Sequence, residues 1–135
     1  MDESGVNVIA VLVAGVASFA FGAAYYMSLS KPWMAAVGKT EAEVKANNNP
    51  MVFVVAIVAQ LVMAYTMARV MAWQGDMNIG AGISIAITLW VGFIVASMAV
   101  NHGFQGAKRS LTIIDSGHWL GVLLVQSVVI ALFGV

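Results

Sequence analysis

The 135-residue chain is 61% hydrophobic and only 9% charged, with six basic and six acidic residues and a mean hydropathy of +0.93. Soluble domains carry about 25% charged residues, so a water-facing surface is excluded for most of its length. The neutral balance and the lack of a basic run speak against nucleic acid as a partner. The lack of cysteine removes disulfides, thiol nucleophiles and thiolate metal sites.

Asp, Glu, Lys and Arg leave four long gaps, at residues 4–30, 46–68, 77–107 and 116–135. A helix needs about 20 apolar residues to cross a hydrocarbon core of roughly 30 Å, so each gap holds one crossing. The expected fold is all-α, a single polytopic membrane domain over residues 1–135 with four spans at about 6–28, 51–73, 79–101 and 111–134 and short interfacial helices in the first loop. Asp2 and Glu3 stand where a secretory signal carries bases, so the first apolar run reads as a retained span.

The first span ends in Tyr25-Tyr26, whose rings suit the membrane boundary. Its small residues Ala10, Ala14, Ser18 and Gly22 recur every fourth position and lie on one face, which lets another backbone approach closely. In the following loop, Ser30-Lys31-Pro32-Trp33 reads as a capped helix start and Gly38 as its end. Thr40 and Glu43 have capping-box spacing, and Trp33 and Met34 are expected to dip toward lipid. Asn49-Pro50 then opens the second span.

That span carries Gln60 near its middle and Arg69 near its far end, where Tyr65 and Trp73 at fourfold spacing offer aromatic faces to a snorkelling guanidinium. After the tight turn Gln74-Gly75-Asp76-Met77-Asn78 comes the longest small-residue stripe, Gly80, Ser84, Thr88, Gly92 and Ala96. The fourth span carries Gln126 deep within it.

Lys31, Lys39, Lys45, Lys108 and Arg109 fall in the loops between spans one and two and between spans three and four, and only Arg69 lies toward the other side. The bias predicts a multi-pass cell-membrane protein with loops 29–50 and 102–110 cytoplasmic and both termini outside.

Residues 101–119 hold the densest polar chemistry, with both histidines. Asn101, His102, Arg109, Asp115 and His118 are read as a polar, ligand-binding cluster at the cytoplasmic boundary, Asp115 and His118 sharing a helix face at a spacing of three. The bland alternative is a helix cap with a salt bridge from Asp115 to Lys108 or Arg109. Gln60, Arg69, Thr88 and Gln126 are the intramembrane polar candidates. Two imidazoles and a carboxylate match no metal spacing, and no triad, phosphate loop or nucleotide fingerprint is present. No catalytic residue, metal or cofactor is therefore expected.

Gly22 to Tyr26 followed by Lys31-Pro32-Trp33, Trp90-x-Gly92-Phe93, then Asn101, Phe104, Arg109 and Ile114-Asp115-x-Gly117 resemble the pattern of a small four-helix bacterial membrane family, domain of unknown function 1761, over nearly the whole chain. The resemblance implies four spans and no assigned activity. His118 stands where that pattern leads one to expect an aromatic such as tyrosine.

The packing stripes and the missing catalytic motifs point to a non-enzymatic binding or assembly protein, embedded in the lipid bilayer and working as a homo-oligomer. Two other classes stand beside it. A small channel or carrier draws on Gln60, Arg69, Thr88 and Gln126, and a membrane enzyme on a lipidic substrate draws on His102, Asp115 and His118.

Overall fold

Asparagine side chains start three of the four long helices in the computed structural model, which describes residues 5–134. Asn7 Oδ1 accepts from the amides of Ile9 and Ala10, Asn49 Oδ1 from Met51, and Asn78 Oδ1 from Ala81. The first amides of a helix have no partner within it, and these carboxamides supply one. Asp2 and Glu3, on which the reading of a retained first span rests, lie outside the described residues.

Among the described residues all regular structure is helical. The four long helices are Val8–Ser28, Pro50–Gln74, Ile79–Gln105 and Arg109–Phe133, each long and apolar enough to cross a membrane. Two short helices, Ser30–Val37 and Glu41–Ala46, fill the first loop. The third span continues to Gln105 rather than ending near 101, because its polar last turn stays helical until Gly106 adopts φ +68°. The second polar loop is accordingly shorter than residues 102–110. The capping box of Thr40 and Glu43 is present. Ser30 is not a cap: it lies inside the first turn, and Leu29 precedes the helix with no side-chain bond.

The first span packs against the second and fourth, and the third packs mainly on the fourth rather than on the first. Ala10, Ala14, Ser18 and Gly22 are all buried inside the chain. The first-span stripe is thus used up internally and is not open to another copy. On the third span the buried face is Gly82, Ile85 and Ala86, while Gly80, Ser84, Thr88, Gly92 and Ala96 face outward. Positions two apart on a helix point about 200° from one another, so burying Gly82 turns Gly80 and Ser84 away.

In the middle of the first, second and fourth spans is a polar node. Ser18 Oγ lies 2.7 Å from Gln60 Oε1, and Gln126 Nε2 donates to Ser18 Oγ and to the Gln60 carbonyl, both at 3.1 Å. All three side chains are buried. The orientation of the Gln126 amide follows from its surroundings, since a backbone carbonyl needs a donor opposite it. Hydrogen bonds between membrane helices contribute about 0.6 kcal/mol on average and up to about 1.7, so the node fixes register more than it supplies bulk stability.

Removing the Gln126 amide leaves Ser18 and the Gln60 carbonyl without their donor. Gln126→Leu is expected to lower stability in detergent by about 1–2 kcal/mol, read from reversible unfolding. An unchanged midpoint would show that the node contributes nothing.

Candidate functional site

Moving from the node toward the basic loops, the first and fourth spans approach closely enough to exclude side chains. A Cβ at position 22 would lie 2.6 Å from His118 Nε2, and one at position 117 would lie 2.8 Å from the Tyr25 hydroxyl. Glycine on each helix therefore admits a ring from the other. His118 is 5% exposed and sits in a box of aromatic rings, with centroids of Trp119 at 4.5 Å, Tyr26 at 4.7 Å, Tyr25 at 5.7 Å and Phe21 at 6.4 Å. Its Nδ1 is buried and has no hydrogen-bond partner among the described residues.

Two phenols tie the helices together at the next level. The Tyr25 hydroxyl donates to the Ile114 carbonyl at 2.7 Å, and the Tyr26 hydroxyl donates to Asp115 Oδ1 at 2.7 Å. Asp115 lies well inside the fourth span, past its first turn, and is half-buried. It forms no ion pair with Lys108 or Arg109: the salt bridge found among the described residues is Lys45 to Glu41. The Lys108 ammonium instead donates to the Ala35 carbonyl at 3.3 Å, joining the two basic loops.

Asp115 and Tyr26 form one wall of a groove of about 830 Å³. Trp33 and Met34 of the first short helix, Phe53 of the second span, Met98 of the third and Trp119 of the fourth supply most of its bulky walls, and Ser30 and Asn48 add two polar side chains from the first loop. Trp33 stands edge-on to Tyr26 with centroids 6.1 Å apart. The groove exists because most side chains at residues 51–58 of the second span point outward, and that helix is buried against its neighbours only from Gln60 onward. The third span contributes Met98 beyond a widened π turn at Trp90–Val95, where the Trp90 indole donates to the Ser116 carbonyl at 2.7 Å. Pockets of about 300–1,000 Å³ with apolar walls and few polar groups are typical of small-molecule sites.

The five residues expected in one polar cluster divide. Asp115 and His118 belong to the aromatic site. His102 and Arg109 line a separate surface depression of about 430 Å³, where His102 Nδ1 lies 2.7 Å from Thr112 Oγ1. Asn101 is exposed and lines neither. The intramembrane polar residues also lie apart. Gln60 and Gln126 meet in the node, the Arg69 guanidinium lies 4.9 Å from the Trp73 ring centroid, and the outward-facing Thr88 hydroxyl bonds to its own helix at the Ser84 carbonyl. They share no common path. Among the described residues no group of three or more His, Cys, Asp or Glu side chains is placed to hold a metal ion.

Sequence reasoning placed Tyr25, Tyr26 and Trp33 at the boundary as anchors and missed them as site residues, and it did not single out Phe21 or Trp119 for the site. One signal was available. The stripe through Ser18 and Gly22 reaches Tyr26 at the next fourfold step, and Gln126, Val122 and His118 run down one face of the fourth span at the same spacing.

The family described as protein of unknown function (DUF1761) matches residues 9–131. The chain belongs to this family. No curated protein and no solved structure matches it. The match extends across all four spans, so the aromatic box and the groove lie within the family region.

A methyl group at position 22 must push the His118 ring out of its box. Gly22→Ala is expected to cost about 1–3 kcal/mol, measured by unfolding in detergent. Gly92→Ala, where nothing lies within 4 Å of the added carbon, leaves stability unchanged. Equal behaviour of the two variants would refute the close approach.

Proposed function

We propose that this is a non-enzymatic membrane protein that binds a small amphiphilic molecule in the groove beside Asp115. The groove itself is the observation that carries the reading: a mostly apolar recess of about 830 Å³ whose polar groups are Tyr26 with Asp115, at residues within the first and fourth spans, and Ser30 and Asn48 of the first loop. An occupant with an apolar body and a polar head matches that distribution. The catalytic alternative is less well supported, because His102 lies in a different depression from Asp115 and His118.

Two further parts of the reading concern placement. The bias of five bases to one supports cytoplasmic loops on the groove side, and the contact from Lys108 to Ala35 supports treating the two loops as one basic face. A cell-membrane location with both termini outside follows from that orientation. Self-association is supported by the outward-facing stripe of the third span, which offers close backbone approach to a second copy.

Native mass spectrometry after purification in mild detergent tests the binding reading. A small-molecule adduct is expected on the wild type and is lost in Ala23→Phe, which fills the groove; an adduct that persists in the filled variant counts against the site. For association, Ser84→Leu or Gly92→Leu is expected to lower the oligomer mass in detergent. Unchanged mass would remove the third-span interface.

A further inference from the structure

Among the described residues no base lies within ion-pair distance of the Asp115 carboxylate. It lies within the fourth span and is half-buried, and the bond it accepts comes from a neutral phenol. Three of the six bases have other contacts. Lys45 pairs with Glu41, Lys108 reaches the Ala35 carbonyl, and Arg69 stacks on Trp73 near the opposite end of the second span. A single hydrogen bond offsets little of the cost of holding a carboxylate away from water, and a counter-charge offsets much more.

The surroundings of that carboxylate select the kind of counter-charge. Tyr26, Trp33 and Trp119 line the same groove, and aromatic faces attract cations through their quadrupoles. Apart from Ser30 and Asn48, the rest of the lining is methionine and other apolar side chains, which match an apolar body. A weakly hydrated organic cation gains from both the rings and the apolar walls, whereas a strongly hydrated inorganic cation gains nothing from the apolar walls.

We propose that the groove selects a lipophilic organic cation, with Asp115 as its counter-ion and the rings of Tyr26, Trp33 and Trp119 around its charge. This rests on the groove-binding reading above and adds the charge of the ligand. Tyr26 acts as a positioning residue: its phenol holds one carboxylate oxygen at 2.7 Å and leaves the other for the ligand.

Tetraphenylphosphonium and tetraphenylborate, two ions of nearly equal shape and opposite charge, form the test. Each is titrated against the full chain in an uncharged detergent, with tryptophan fluorescence, to which Trp33 and Trp119 in the groove contribute, as the readout. Asp115→Asn keeps an acceptor for the Tyr26 hydroxyl and removes the charge, so the fold is retained while the selectivity goes. The phosphonium is expected to bind saturably, the borate far more weakly, and Asp115→Asn to lose about tenfold or more of the phosphonium affinity. Tyr26→Phe is expected to weaken binding less than Asp115→Asn does. Phosphonium affinity unchanged in Asp115→Asn, or borate bound as tightly as phosphonium, overturns the charge selection and leaves groove binding standing. If neither ion is bound, both the charge selection and the groove reading fall.

Discussion

The structure depends on how closely the first and fourth spans approach along one antiparallel seam. Lipid tails are as apolar as leucine, so membrane helices gain little from hiding apolar surface from one another. What remains is close packing and polar contact, and the seam uses both. At its middle, Ser18 meets Gln126; further along, Gly22 admits the His118 ring; further still, Tyr25 and Tyr26 bond to Ile114 and Asp115. Each step down the first span is matched by a step up the fourth. A slip of one residue would break all of these contacts at once.

The groove follows from the seam. With the first span committed to the fourth, the second span joins the pair only through its far half, from Gln60 onward. Its near half stands away, and the short helix carrying Trp33 closes over the space. The phenol that fixes the seam at its end also presents a carboxylate to that space. The fixing of helix register and the polar corner of the groove are therefore the same hydrogen bond, from Tyr26 to Asp115.

Much of this architecture was legible in the sequence. The charge-free gaps mark the four spans to within a few residues, because a bilayer core imposes a length and punishes charge inside it. Caps and stops such as Asn49-Pro50, Thr40 with Glu43 and Gly38 are local chemistry and read directly. Helix partners are another matter. A small-residue stripe signals close approach without naming what approaches: the first-span stripe is buried, whereas the longer one on the third span faces outward. The polar segment at residues 101–119 misled in the same way. Neighbours in sequence there divide between two depressions, and the partners that define Asp115 and His118 come from a helix about 90 residues away. His118 itself fills a slot between aromatic rings, which fits a position where an aromatic side chain was expected.

We propose that the groove bordered by the Tyr26–Asp115 bond holds a non-protein molecule. A diffraction map of crystals grown from a lipidic mesophase tests it most directly. Density between Trp33, Trp119 and Asp115 that protein atoms do not explain is expected, with the near half of the second span standing clear of the fourth. A second span packed onto the fourth along its whole length, with protein side chains filling the space beside Asp115, would contradict it.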